Sequence, residues 1–409
     1  MQTITIVYTI MFFFGIYFLL IFLILYSRNR KDIYSYPPAD KDYSLSIIIP
    51  CYNEEKNIGA TIESLLNSDY KNLKKIIIVD DCSKDNSYKI IKEYAKKNPK
   101  ILAVQTPKNT GNAAGAKNYG VQFVKTELIG FSDSDSFPNP DAISKMIGYF
   151  DNPKVAAVTS RVLVKNSKNF LERFQDFDYA VIAWGRKILD FIDSVYVTNG
   201  PLSIYRTKVF IDSGCFDEKN LTEDIEITWN LLSKGYKTKM SYSSIVYTIV
   251  PDNLKQWVNQ RIRWNLGGLQ TLNKYKKFCF KGKNAFGYFV LSYVGLAFFL
   301  ALVGFFLLFR WVFLKIYFYL WTMPFLIKGY NPFEFLKFNF LTSILFIFST
   351  SFLILSLVYY LLILKDTNLK SKGIITIIVY TFIYRPLYII PLLGAIYRIH
   401  KKDLRWYTK

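Results

Sequence analysis

Leu45-Ser46-Ile47-Ile48-Ile49-Pro50 is the stretch whose reading decides the fold. A short run that is apolar at nearly every position reads as a strand covered on both faces. The same signal returns at Lys75–Asp80, Ile101–Thr106 and Leu128–Ser132. Between these runs, Asn57–Leu66 and Asn86–Lys97 carry helical periodicity, and Gly111–Val124 reads as a helix of small residues. Buried strands alternating with helices predict a parallel sheet with both faces covered. Ligands of such sheets lie beyond the carboxyl ends of the strands. Polar residues gather there: Pro50-Cys51-Tyr52-Asn53-Glu54, Asp80-Asp81 and Asp133-Ser134-Asp135. Further on, Asp141–Phe150 reads as a helix, Val155–Arg161 as a strand and Phe170–Phe191 as a long amphipathic helix. Gly200–Arg206 reads as a turn into a strand, and Thr222–Lys234 as a helix with Thr222 as its N-cap.

Outside this α/β stretch the chain is apolar. Ile4–Tyr26 has no charge and is long enough to cross a bilayer. Without basic residues before it, it does not read as a cleaved signal peptide. Arg28, Arg30 and Lys31 follow, which the positive-inside rule places in the cytoplasm. Ala285–Phe309 and Phe340–Leu364 read as spans, and Gly373–Tyr397 as a span carrying Arg385. An arginine at that depth is costly and calls for a polar pathway, or for a carboxylate or carbonyl between helices. Trp311–Ile327, with Lys315 and Pro324, sets the count. If it spans or re-enters, about five passes result and the tail with Lys401, Lys402, Arg405 and Lys409 is cytoplasmic; if it lies flat, about four result. The first outcome is the expected one. The predicted organisation is a span in 1–31, a linker in 32–43, a cytoplasmic catalytic domain in 44–250, an interfacial segment in 251–284, a transmembrane bundle of three or four spans in 285–397 and a basic tail in 398–409.

Composition narrows the chemistry. The chain is 51% hydrophobic and 18% aromatic, as membrane proteins are. A net charge of +21 fits either nucleic acid or anionic lipid. Lys and Arg lie between and beside the apolar runs, and no nucleic-acid motif is present, so the bilayer is the expected partner. A single histidine, His400, speaks against a Ser-His-Asp triad or a His-rich zinc site. The four cysteines show no CxxC spacing and read as buried free thiols. Carboxylates, arginines and a metal on oxygen ligands remain.

Asp80 closes a buried strand, where it can accept from a base or ribose, or simply make a turn. Asp133-Ser134-Asp135 places two carboxylates just past a strand. Like charges brought together there suit Mg2+ or Mn2+ with phosphate oxygens completing the shell, or form an ordinary acidic turn. Asp224 in Thr222-Glu223-Asp224 is favoured at a helix start by the dipole alone, or is a general base for an acceptor hydroxyl. Gly111-Asn112-Ala113-Ala114-Gly115 lacks the spacing of a phosphate loop. Gln260-Arg261-Ile262-Arg263-Trp264 offers planar cations for a diphosphate and an indole face for a sugar, or an amphipathic helix on a membrane surface.

Taken together and in this order, the strand-end acid, DSD, Gly200-Pro201-Leu202-Ser203-Ile204-Tyr205-Arg206, TED and QRIRW resemble the membrane-integrated, processive family 2 inverting glycosyltransferases. These include the hyaluronan, chitin, cellulose and poly-N-acetylglucosamine synthases. Gln260, Arg263 and Trp264 match the QxxRW signature; Asn112 departs from the Gly-Lys-Ala loop of many relatives. The resemblance implies an α/β GT-A-type (Rossmann-like) catalytic domain plus an α-helical transmembrane bundle. It implies that Asp80 and the loop of Pro50, Tyr52, Asn53 and Glu54 hold uridine, and that Asp133 and Asp135 bind Mg2+ or Mn2+ and the diphosphate. It makes Asp224, beside Glu223, the catalytic base. It places Arg263 on the pyrophosphate, and Gln260, Trp264, Gly200 and Pro201 around the acceptor with Arg261 close by. The implied reaction is inverting transfer from a UDP-sugar, with UDP-GlcNAc the expected donor, to a growing β-linked polysaccharide coupled to its translocation. Transfer of one sugar to a membrane lipid, and an inactive sugar-binding scaffold, are the alternatives; accessory subunits are left open.

Overall fold

The computed structural model describes residues 2–281, 285–328, 344–367, 373–401 and 403. β1 (Leu45–Cys51), β2 (Leu73–Asp80), β3 (Ile101–Gln105) and β4 (Leu128–Phe131) form a parallel half-sheet in the order β3-β2-β1-β4. Ile47 pairs with Ile76 on one side and with Gly130 on the other, so the isoleucine run is central in the sheet. Every residue of β1 is buried, Ser46 included, the property its nearly continuous apolar sequence encodes.

The sheet does not remain parallel. β5 (Ser136–Pro138), β6 (Val155–Val164), β7 (Ser203–Arg206) and β8 (Lys237–Thr248) extend it to eight strands, β3-β2-β1-β4-β7-β6-β8-β5. β7 runs antiparallel to both β4 and β6, β6 and β8 pair in parallel, and β5 is antiparallel to β8. The all-parallel expectation is therefore corrected to a mixed sheet. β8 escapes a search for apolar runs because it alternates buried and half-buried residues, the pattern of a strand with one less-covered face.

Helices cover the sheet in chain order. α1 (Gln2–Asn29) precedes it; α2 (Ile58–Leu66), α3 (Ser87–Lys97) and α4 (Ala113–Val121) connect the parallel strands. The helix expected over Asp141–Phe150 is only α5 (Ser144–Ile147) followed by a 3-10 turn. α6 (Phe170–Asp190) begins with a capping box between Asn169 and Glu172. α7 (Thr207–Asp212) and α8 (Glu223–Ser233) follow, then α9 (Leu254–Tyr275), which contains the whole QRIRW stretch. The small residues of α4 let it lie on the sheet, with Ala114 and Ala116 in one core cluster with Ile48 and Val79.

The chain divides into two compact units, Met1–Leu25 with Tyr293–Thr381, and Tyr26–Ser292 with Phe382–Lys409. The first contains most of α1, of α10 (Leu291–Ile327) and all of α11 (Ile344–Thr367) and α12 (Ile374–Val379). Aromatic pairs join its helices, among them Phe18 with Tyr293 and Phe22 with Tyr359. α10 is continuous through Trp311–Ile327 with Pro324 inside it, so that segment prolongs a span instead of forming another. Four helices are long and apolar enough to cross a membrane, within Ile4–Asn29, Phe286–Pro324, Leu345–Asp366 and Ile374–His400. Lys402, Arg405 and Lys409 of the expected basic tail, and the start of the span expected from Phe340, lie outside the described residues.

The second unit holds the sheet and α2–α9. After a π turn at Tyr380–Tyr384 and α13 (Arg385–Leu387), it also holds α14 (Ile389–His400). α14 packs along α9, where Ala395 meets Ile262 and Leu266. Arg385 is exposed and lies 5.7 Å from the Tyr388 ring.

Asn169→Ala removes the cap of α6 and is expected to cost about 1 kcal/mol. Thermal unfolding of the detergent-solubilised protein should shift down by about 2–4 °C; an unchanged midpoint would show that the box contributes nothing.

Candidate active site

A cavity of about 740 Å³ opens at the carboxyl ends of β1 and β4. It is lined by Pro50, Tyr52 and Glu54, by Asp133 and Asp135, by Gly200 and Pro201, by Glu223 and Asp224, and by Gln260, Arg263 and Trp264. Residues widely separated in sequence thus share one wall. Three expected residues lie elsewhere. Asn53, at φ 54°, turns its side chain away to accept from the Lys84 amide at 2.7 Å. Asp80 is fully buried behind the wall, where its Oδ2 accepts from Gln105 Nε2 at 2.8 Å. Its neighbour Asp81 lines the cavity and accepts from Thr106 Oγ1 at 2.8 Å and the Thr110 amide at 2.9 Å. Arg261 is buried behind Trp264, its guanidinium 3.9 Å from the indole centroid.

Lys117, on α4, is the residue the sequence reading missed. It is 2% exposed; its Nζ donates to Glu223 Oε1 at 2.8 Å and lies 3.5 Å from Asp133 Oδ1. One cation therefore joins the DSD and TED motifs. The signal is a lone lysine directly after the small residues Ala113-Ala114-Gly115-Ala116 of a helix that packs on the sheet. Asn112, the departure from the Gly-Lys-Ala loop, caps α4 by accepting from the Gly115 amide at 2.9 Å.

The carboxylates differ in character. Burial works to raise the Glu223 carboxyl, but Lys117 overcomes it and holds the group below its ordinary range. Burial, reinforced by Glu223, pushes Asp224 up to about 6, with Lys117 and Arg263 opposing. Two adjacent acids are thus set apart, one fixed as a counter-ion and the other poised near neutrality.

Backbone contacts fix the rest. A Cβ on Gly200 would fall 2.5 Å from Asp133 Oδ2, so only glycine leaves room for that carboxylate. A Cβ on Gly267 would fall 2.1 Å from Thr222 Oγ1, so α9 closes directly onto the start of α8. Asn220 and Leu221 are tied to Thr271 and Gln270 at 2.9 and 3.1 Å. Glu226 accepts from Lys274 and Tyr275, each at 2.7 Å. Behind the cavity, Arg261 donates to Gln260 Oε1 at 2.9 Å and to the Tyr388 hydroxyl at 3.1 Å. Tyr388 in turn donates to Asp178, which lies 3.4 Å from Arg261. Arg261 thus positions Gln260 and Trp264 from behind.

Residues 46–214 match the family described as Glycosyl transferase family 2. They form a family 2 glycosyltransferase domain. The poly-beta-1,6-N-acetyl-D-glucosamine synthase of Staphylococcus aureus strain COL is 30% identical over 260 residues, which cover 63% of this chain and 62% of that protein. The synthase of the same name from Staphylococcus epidermidis is 31% identical over 230 residues, 56% of this chain and 55% of that one. The chain thus spans less than two thirds of either curated relative. A mannosyltransferase from Pyrobaculum calidifontis, solved with GDP-Man and Mn2+, superposes with a TM-score of 0.55 at 18% identity. That likeness covers 91% of this chain and 99% of that one, and it places the glycosyltransferase domain in the GT-A-like fold.

Because the fold raises the pKa of Asp224 from 3.8 to about 6, its ionised form costs stability, and stability falls as pH rises through that window. Asp224→Asn removes this cost. The variant should melt above the wild type at pH 7.5, and the gain should shrink by pH 5, where wild-type Asp224 is largely protonated. A gain that does not depend on pH would contradict the raised pKa.

Proposed function

We propose that this protein is an inverting glycosyltransferase that moves a sugar, N-acetylglucosamine, from its UDP donor to a growing β-linked polysaccharide at a membrane. The observation that carries the reading is the single cavity. Asp133 and Asp135 share its wall with Asp224, whose pKa lies near 6, and with Arg263 and Trp264. The names of the synthases with about 30% identity support the polymer and the sugar. They do not favour single transfer to a lipid or an inactive scaffold.

Tyr52, Glu54 and Asp81 line the end of the cavity past β1 and β2 and would receive the nucleoside. Asp133 and Asp135 would hold Mg2+ or Mn2+. The donor set fits, because such hard cations take one or two carboxylates and complete their shell with water and phosphate oxygens. When bound, the metal offsets charge on the departing diphosphate. Arg263 adds a fixed cation on the same wall. Trp264, held flat by Arg261, would present a face to the acceptor ring. Orientation there makes the attack effectively intramolecular. Asp224 would take the acceptor hydroxyl proton as that oxygen attacks the anomeric carbon opposite the diphosphate, so an α-linked donor gives a β-linkage. Lys117 keeps Glu223 ionised, and it is the Glu223 charge, together with burial, that raises Asp224, while Lys117 and Arg263 oppose the rise.

Arg28 in the last turn of α1, with Arg30 and Lys31 just after it, favours a cytoplasmic catalytic domain. A polar polymer leaving that side crosses lipid only through a protein-lined path.

Purified protein given UDP-GlcNAc and Mg2+ or Mn2+ should release UDP and build long chains; a product limited to a lipid bearing one sugar would replace the polymerase reading. Asp224→Asn should lower turnover by about two to four orders of magnitude while UDP binding persists. The rate of the wild type should rise with pH through about 6, since the base works only when deprotonated. A flat profile across that range would take Asp224 out of the base role. Asp135→Ala should weaken metal-dependent UDP binding, and chelation should stop turnover reversibly. Full activity in chelator would remove the metal from the mechanism.

A further inference from the structure

Arg186 and Asn199 have no place in the mechanism above, yet both line the cavity. Arg186, on α6, is 7% exposed, and Asn199, just before β7, is 8% exposed. Buried arginines are ordinarily paired with carboxylates. Here the hydrogen bond found among the described residues runs from Arg186 Nη1 to the neutral Asn199 Oδ1, at 2.5 Å. Arg186 Nε and Asn199 Nδ2 are both buried without a partner. Asn199 is rigidly held: its amide donates to Thr159 Oγ1 at 3.1 Å, its Oδ1 accepts from the same hydroxyl, and its carbonyl accepts from Ser203 at 2.6 Å.

Two unpaired N–H donors on residues that are themselves hydrogen-bonded to each other ask for an oxygen acceptor, and leaving them unmatched is costly. The adjoining wall is apolar. Ile182 and Ala183 lie one turn before Arg186 on α6, and Val197 lies two residues before Asn199. An oxygen next to a methyl group fits this recess, and that is the chemistry of an acetyl group. Thr198, next to Asn199, donates to the Asp224 carbonyl at 3.4 Å, and Arg186, Asn199 and Asp224 line the same cavity. The recess therefore neighbours the carboxylate at which the transferred sugar would react.

We propose that Arg186 and Asn199 form a subsite that binds the N-acyl carbonyl oxygen of the sugar being transferred. The assignment rests on the glycosyltransferase reading and adds to it the residues that select an N-acetylated donor.

Dissociation constants of the purified full-length protein with Mn2+ for UDP-GlcNAc, UDP-glucose, UDP-glucuronic acid and UDP test it. Wild-type protein should bind UDP-GlcNAc about tenfold or more tightly than UDP-glucose, the scale of one hydrogen bond to a charged group. Asn199→Asp keeps both accepted hydrogen bonds, removes the free donor and adds a charge that Arg186 neutralises. Arg186→Lys keeps the charge and removes the fork. Both should erase the preference for UDP-GlcNAc while UDP affinity, which also reports a folded site, is unchanged. An equal loss for all ligands in these variants would assign the pair to the diphosphate and overturn the proposal. Wild-type protein that binds UDP-glucose as well as UDP-GlcNAc, or UDP-glucuronic acid more tightly, would overturn it without any variant. If no UDP ligand binds, the glycosyltransferase reading falls and the subsite with it; if UDP binds without sugar selectivity, only the subsite falls.

Discussion

A buried lysine holds the acidic end of this sheet together. Lys117 reaches Glu223 at 2.8 Å and Asp133 at 3.5 Å from a helix that packs on the central strands. Desolvating charges of either sign is expensive, and removing one partner of a buried pair leaves the other uncompensated. The carboxylates at the end of β4 and the start of α8 can therefore lie side by side only because this cation is between them. The small residues of α4 are part of the same device, since bulkier side chains would lift the lysine off the sheet.

α9 closes the arrangement from the other side. Its second half grips the 217–226 loop through Gly267, Gln270, Thr271, Lys274 and Tyr275. Its first half presents Gln260, Arg263 and Trp264 to the cavity. Arg261 is turned the opposite way, into the Asp178 and Tyr388 network, and stacks under Trp264. One helix thus fixes the start of α8 and the aromatic wall in a single rigid body, so Asp224 and Trp264 keep their spacing. Function on this account depends on geometry between elements far apart in sequence.

The parallel half of the fold was legible because β1, β2 and β4 each carry a short, nearly continuous apolar run, Ile47–Ile49, Ile76–Val79 and Leu128–Phe131, a property of single strands that needs no knowledge of partners. β8 was not legible, since Lys237–Ser244 is mostly polar, with only Met240 and Tyr242 interrupting it, and becomes a strand only beside β6. The DSD, TED and QRIRW stretches stood out by composition, and the structure brings most of their polar residues to one cavity. Arg261 and Asn53 could not be told from their neighbours, because which face of α9 meets α14, and which way a left-handed turn points, are tertiary facts. Asp80 and Asp81 differ for the same reason: alternation along a strand end sends one inward and the next into the cavity. Lys117 left only a faint trace, a lone lysine after four small residues, and Arg186 and Asn199 left none, as each acquires meaning only from what it meets.

The central claim is that these converging groups form one donor site in which Asp224 faces the reacting carbon. A structure of the protein with UDP-GlcNAc and Mn2+ bound tests it most directly. The account predicts the diphosphate against Asp133 and Asp135, the uracil toward Tyr52, and the anomeric carbon turned to the Asp224 carboxylate. A nucleotide seated outside this cavity, or an anomeric carbon with Asp224 turned away from it, would contradict the account.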